Sequence, residues 1–271
     1  MSEKKIKEVI TNDNISLLRK YQLVTLEILL EVDRICRKNN ITYWIDAGTL
    51  LGAIRHGGFI PWDDDIDICI PRNDYNRFRK VIKEELNEIF IEEDKYSKNW
   101  VNSNCNYKFN WMKIYYLKYF KSNDILEDKE VRGTYIDIFP VDEVNKSMVN
   151  SKINRNLSKI LSMSIKNNNS LKNKIRNLIQ NLRFENLWIM KSRYLVMRNK
   201  AKYVIYGIET PFIDIKNLHK IQDLFPLKEI EFEGYKFYAP NNYDKYLTNL
   251  YGDYMKEEKY PPHNNNLRIE I

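Results

Sequence analysis

Cysteine is scarce in this chain: three in 271 residues, at Cys36, Cys69 and Cys105. They are far apart, odd in number and form no C-x-x-C pair, which argues against a disulfide framework or a zinc site. The three histidines, His56, His219 and His263, are equally scattered. No stretch approaches the roughly 20 apolar residues that a membrane-spanning helix needs. The opening MSEKKIKEVI lacks the apolar region of a secretory signal, so a cytoplasmic location is expected. No internal repeat is visible, and no linker divides the chain. A single domain over 1–271 is the simplest organisation for this length.

What is present points to a globular protein with an anionic partner. Hydrophobic residues make up 43% and aromatics 13%, which excludes a disordered chain. The formal net charge of +7 suits a nucleotide, a phosphorylated polymer or a lipid headgroup, without choosing among them.

The most informative stretch is Tyr43 to Pro71, YWIDAGTLLGAIRHGGFIPWDDDIDICIP. Tyr43, Trp44 and Ile45 suit a buried strand. Gly48 and Thr49 break it, and Leu50 to Arg55 reads as one or two helical turns ended by His56, Gly57 and Gly58. A glycine turn before a helix N-terminus presents backbone N–H groups that suit a phosphate. A second strand follows Pro61. Side chains alternate along a strand, so Ile66, Ile68 and Ile70 share a core face while Asp65 and Asp67 share the other. Two carboxylates held together on a rigid strand call for a hard divalent cation, Mg²⁺ or Mn²⁺. Asp63 and Asp64 read equally well as a solvated turn.

Elsewhere the pattern is mainly architectural. Asn14 to Asn39 is an amphipathic helix, with Leu17, Tyr21, Val24, Ile28, Val32 and Ile35 on one face and Ser16 or Asn14 as cap. Arg72 to Phe90 reads as another helix, capped by Asn73 or Asp74. Tyr107 to Tyr119 suits a strand. Lys113 stands among its apolar residues, where a lysine usually snorkels at an edge. In the strand Arg132 to Pro140, Thr134, Ile136 and Ile138 alternate with Tyr135, Asp137 and Phe139. An aspartate there needs a partner. Pro226 to Pro240 reads as a hairpin, and Asn241 to Leu250 as a helix.

Residues 144–208 differ in character. Their one acid is Glu185, against more than a dozen lysines and arginines. The segment reads as a basic, mainly helical insertion. It is either a solvated helical pair or a contact for membrane lipid or an anionic acceptor polymer. Nucleic acid is disfavoured, because the aromatics here do not interleave with the basic residues.

The run GTLLGAIRHGGFIPWDDDIDI, with the later IDIFP and YGDYM…PP, resembles the LicD family of phosphocholine transferases, related to fukutin and fukutin-related protein. The resemblance implies an α+β (α/β) nucleotidyltransferase (polymerase-β-like) fold with a mixed sheet flanked by helices. It implies metal-dependent transfer of a phospho-alcohol from a CDP-linked donor, CDP-choline first. The acceptor would be a hydroxyl of a glycan or glycolipid bound for the cell surface (lipopolysaccharide, teichoic acid or capsule). CMP would be released, with the enzyme in the cytoplasm or at the inner face of the membrane. Asp65, Asp67 and Asp137 would form a catalytic, Mg²⁺-binding triad. Gly48 and Thr49 would serve the donor phosphates, and Arg55 and His56 the leaving CMP or diphosphate. Lys113 would reach the phosphates, and Tyr251 would close over the site. Trp62 would stack on a base or sugar, or merely wall the loop, and Arg55 could instead tether Asp63 and Asp64. A true nucleotidyltransferase acting on an NTP, or a non-enzymatic membrane or polymer binder, remains as an alternative.

Overall fold

The six apolar residues of the long N-terminal stripe lie on one face of a helix because 3.6 residues make a turn. In the computed structural model that helix is α2 (Leu17–Lys38). It follows a short α1 (Glu3–Thr11) that periodicity had not suggested. The model describes residues 3–94, 111–124, 129–152, 154–156, 201–210, 212, 214–256 and 264–270. Tyr21, Val24, Ile28, Val32 and Ile35 are fully buried, each stabilising by roughly 2 kcal/mol before entropy is counted. The Ser16 hydroxyl caps α2 by accepting from the Arg19 N–H at 3.3 Å.

The first sheet strand, β1 (Trp44–Ile45), is shorter than expected and leads at once into α3 (Ala47–His56). Gly48 and Thr49 therefore belong to the first helical turn rather than to a turn before it. Gly57, at φ 72°, ends α3 in the left-handed conformation that glycine tolerates. The next strand, β2, runs Asp67–Pro71, two residues later in its start than the alternation suggested. It passes straight into α4 (Arg72–Glu85). Neither Asn73 nor Asp74 caps α4. The cap position is Pro71, and Asp74 instead accepts the Thr42 N–H at 2.9 Å. The remaining sheet strands are β3 (Ile91–Glu93), β4 (Met112–Asp124), β5 (Lys129–Val144), β6 (Tyr203–Tyr206) and β7 (His219–Lys220). β8 (Lys228–Phe232) and β9 (Tyr235–Ala239) form the separate hairpin, and β10 (Asn264–Glu270) is the last strand. Helices α5 (Lys146–Asn150), α6 (Ile221–Leu224) and α7 (Tyr243–Tyr251), with a 3-10 turn at Ile215–Asn217, complete the described elements.

The main sheet has the order β1-β2-β5-β4-β10, with β3 also on β4, and β6 and β7 continuing beside β5. β2 and β5 are parallel and the other pairs antiparallel, so the sheet is mixed. One face carries Ile68, Ile70, Ile114, Ile136 and Ile138, all fully buried. The other carries the polar residues described below. Among the described residues no helix is long and apolar enough to cross a membrane. Most of the basic stretch expected at 144–208 lies outside the described residues.

A buried ion cluster locks β6 to this sheet. The Arg72 guanidinium, at the start of α4, donates to both Asp142 oxygens (2.9 and 2.6 Å) and to both Glu209 oxygens (2.8 and 2.7 Å). Removing the arginine would take the shared guanidinium from two buried carboxylates. Arg72→Met should therefore lower the unfolding free energy by about 3–5 kcal/mol. The check is a urea titration in which the midpoint falls at unchanged slope.

Candidate active site

The register of two parallel strands builds the centre of the site. Asp67 on β2 stands opposite Asp137 on β5, and the Asp137 N–H donates to the Ile66 carbonyl at 2.9 Å. Neighbouring strands run about 4.8 Å apart, so the two side chains leave the same face as neighbours. Asp65 lies two residues before Asp67. Burial first, and then the charges of Asp65, Asp137, Asp46 and Asp63, push the Asp67 carboxyl well above the ordinary range. Burial also raises Asp137, against the opposing pull of Lys113 and Trp111.

The start of α3 is stitched to β2. The Asp46 N–H donates to the Asp67 carbonyl, and the Asp67 N–H donates to the Thr49 hydroxyl, both at 2.9 Å. Ala47, the first residue of α3, has φ 43°, a left-handed backbone that costs an alanine about 1 kcal/mol. A Cβ at Gly48 would lie 2.8 Å from an Asp63 carboxylate oxygen. One at Gly52 would lie 2.4 Å from the Gly58 carbonyl. The two glycines, one turn apart, thus let the 58–63 loop lie directly on α3. Gln22 of α2 holds that loop from below, donating to the carbonyls of Ile60 (3.3 Å) and Asp63 (2.8 Å). Glu233, at the tip of the β8–β9 hairpin, accepts the Phe59 N–H at 3.0 Å. The acidic loop is therefore braced on three sides, not a free solvated turn.

Lys113 is not at an edge. It lies on β4 opposite Asp137, is 6% exposed, and its Nζ is 2.6 and 2.8 Å from the two Asp137 oxygens. The Trp111 indole N–H donates to the same carboxylate at 2.5 Å. In this structure Lys113 meets Asp137, where a phosphate contact was expected.

Arg55 and His56 are at the other end of α3, about 10–12 Å along the axis from Gly48. Arg55 does not turn to Asp63 or Asp64. It donates to the carbonyls of Tyr254 (3.1 Å) and Lys256 (3.5 Å). It thereby anchors the segment after α7, whose last residue is Tyr251. Tyr251 is 42% exposed, and its phenol is pushed up by burial and then by the charges of Asp46, Asp67, Asp65 and Asp63. The Trp62 ring lies 6.4 Å from that of His56, edge to face.

Two residues of the site carried no reading from the sequence. Asp46 is fully buried beneath Asp67 and accepts from Tyr206 Oη at 2.5 Å and Cys69 Sγ at 3.0 Å. An acid directly after three strand residues was the available signal. Trp111 gave none, because its link to Asp137 spans 26 positions.

Near Asp46, His219 is buried and stacked on Tyr246, with ring centroids 3.6 Å apart. Burial lowers its pKa from 6.5 to about 4, against the opposing pull of Asp46 and Asp223. The folded imidazole thus stays neutral where the unfolded one charges. Its contribution is whole above pH 6.5 and is lost as pH falls toward 4. Between pH 7.5 and pH 5 the unfolding free energy should drop by about 2 kcal/mol from this residue. His219→Phe, which keeps a stacking ring, should shrink the measured drop by that amount.

No three His, Cys, Asp or Glu side chains are already gathered around one point among the described residues. The donor set nevertheless fits a hard divalent cation. It is made of carboxylate oxygens on β2, on β5 and just before β2, and burial together with their mutual repulsion raises Asp67.

A family model described as LicD/FKTN/FKRP, nucleotidyltransferase domain, matches residues 40–190, a span that includes most of the stretch read as an insertion. The lipopolysaccharide cholinephosphotransferase LicD of Haemophilus influenzae is 31% identical over a 287-position alignment, covering 91% of this chain and 95% of that protein. The ribitol 5-phosphate transferase FKRP of Homo sapiens is 38% identical over 52 residues, 19% of this chain and 10% of that protein. An uncharacterized protein of Rickettsia typhi, RT0683, is 44% identical over 63 residues, 23% of this chain and 20% of that protein. Together these define the class: the chain is an enzyme, a transferase. It belongs to the LicD/FKTN/FKRP family.

Proposed function

We propose that the chain transfers phosphocholine from CDP-choline to a hydroxyl of a surface glycan or its lipid-linked precursor, releasing CMP. The observation that carries this reading is the register of Asp67 against Asp137, with Asp65 two residues away, in a chain similar to a cholinephosphotransferase along most of its length. Asp65, Asp67 and Asp137 would hold Mg²⁺ or Mn²⁺. When bound, that ion supplies charge neutralisation at the donor's phosphates. The first amides of α3 face the same phosphates, where the helix dipole favours an anion. The acceptor oxygen bonds to the phosphorus that bears choline. The bond from that phosphorus to the bridging oxygen breaks, and the oxygen leaves with CMP. The Asp137 carboxylate, made more basic by burial, takes the hydroxyl proton. Tyr251, held in place through Arg55, excludes water from above. The basic stretch at 144–208 supplies charge for an anionic acceptor or a membrane surface, on the cytoplasmic side.

The test is CMP release by the full chain offered CDP-choline, CDP-ribitol and CDP-glycerol with cell-envelope glycans. CMP should form from CDP-choline, stop with EDTA and return with Mg²⁺ or Mn²⁺. CMP from CDP-ribitol or CDP-glycerol alone would reassign the alcohol. Pyrophosphate release from CTP would replace the reading with nucleotidyl transfer. No CMP from any of the three donors would overturn it.

A further inference from the structure

We propose that Lys113 is an internal counter-cation for Asp137, and that binding of the divalent ion drives its ammonium off the carboxylate and onto the donor's phosphates. This rests on the metal-dependent reading above. Asp137 sits between two strands, with Asp67 opposite it on β2 and Lys113 opposite it on β4. At 7% exposure Asp137 has little water to solvate its charge, and the ammonium 2.6 Å away takes that role. With Asp137 turned to Lys113 and Trp111, the carboxylates are not gathered for an ion.

A divalent ion among Asp65, Asp67 and Asp137 would stand close to that ammonium and repel it. The displaced group has a flexible four-carbon stem. It also has a second seat, since Nζ already lies 3.9 Å from the centroid of the Tyr135 ring. There the donor's diphosphate competes for the ammonium with Glu93, the buried carboxylate opposite Lys113 on β3. One positive charge thereby serves two states: it neutralises Asp137 before the metal arrives and binds phosphate afterwards. The consequence is linkage. Donor phosphate gives the released ammonium a partner, so donor and metal bind more tightly together than apart.

The experiment measures Mn²⁺ binding to the metal-free full chain by electron paramagnetic resonance, with and without CDP as the phosphate probe. Lys113→Met should bind Mn²⁺ about tenfold more tightly than wild type without CDP, because no ammonium competes. CDP should raise Mn²⁺ affinity in wild type and raise it much less in Lys113→Met. Lys113→Arg, whose planar fork grips a carboxylate harder, should bind Mn²⁺ more weakly than wild type and covers the case in which Lys113→Met does not fold. Equal Mn²⁺ affinity in all three proteins, or an equal CDP effect in wild type and Lys113→Met, would overturn the exchange while leaving the metal site standing. No Mn²⁺ binding to any of the three would overturn both.

Discussion

Asp67→Asn will cut CMP-releasing transfer by about 10³-fold or more and leave the protein folded. Asparagine matches aspartate in volume. The strand contacts at this position use the backbone, through Thr49 Oγ and the Asp46 amide, so they survive. What changes is charge. In the metal-free protein Asp67 is crowded by Asp65, Asp137, Asp46 and Asp63, so removing its charge relieves repulsion. The variant should melt no lower than wild type, and somewhat higher. The pH dependence gives the sign independently. Burial and its acidic neighbours hold Asp67 above its ordinary 3.8, so above that pH the folded state binds more protons than the unfolded state. Stability of metal-free wild type therefore declines as pH rises from 3.8 through the folded-state pKa, and Asp67→Asn removes that decline. Mn²⁺ should raise the wild-type melting temperature much more than that of the variant. Asp65→Asn should show the same loss of transfer. Near-normal turnover of either variant at saturating Mg²⁺ would remove the metal assignment.

The parts of this site that were legible in the sequence are those written in local periodicity. Ile66, Ile68 and Ile70 alternate with Asp65 and Asp67 inside six residues; β2 sets Ile68 and Ile70 opposite Asp67 as that pattern requires, while Asp65 and Ile66 precede the strand, with Ile66 buried. The hairpin at 228–239 was similarly readable from Gly234 between two alternating runs. Asp137 stood out because an acid in an apolar strand needs a partner. Its partners were not legible. Trp111, Lys113 and Asp137 meet only once β4 and β5 pair, and nothing in the residues near 111 specifies that register. The same holds for Arg72 with Asp142 and Glu209, which are 70 and 137 positions away. Arg55 illustrates the cost of proximity in sequence. Ten residues from Asp65, it looked available to the phosphates. A helix of ten residues carries it to the far end, where it meets carbonyls from residues 254 and 256. The start of α3 was misplaced by three residues, because glycine is a weak helix former. Here close approach of Asp63 and Gly58 requires glycine inside the helix.

Asp137→Asn will abolish transfer as completely as Asp67→Asn, yet it will destabilise the protein, and the difference comes from Lys113. Seen only as a third carboxylate facing Asp65 and Asp67, Asp137 adds repulsion, and its loss should be harmless or helpful to the metal-free fold. The contact with Lys113 reverses that expectation. An ammonium at 6% exposure, 2.6 Å from its carboxylate, loses its counter-charge when the carboxylate becomes an amide. The asparagine oxygen still accepts one hydrogen bond but carries no charge. Breaking one side of a buried pair costs about 3–5 kcal/mol. Part of that is offset here by the relief at Asp65 and Asp67, so a net loss of about 2 kcal/mol is expected. The double variant Asp137→Asn/Lys113→Met removes the ammonium as well. It should recover most of the lost stability in urea while transfer stays absent. Three proteins measured together, by urea titration and by CMP release, separate the two roles of the residue. If Asp137→Asn is as stable as wild type, the ion pair contributes nothing to the fold. If it also retains transfer, Asp137 is a hydrogen-bond acceptor within β5 and has no part in the chemistry.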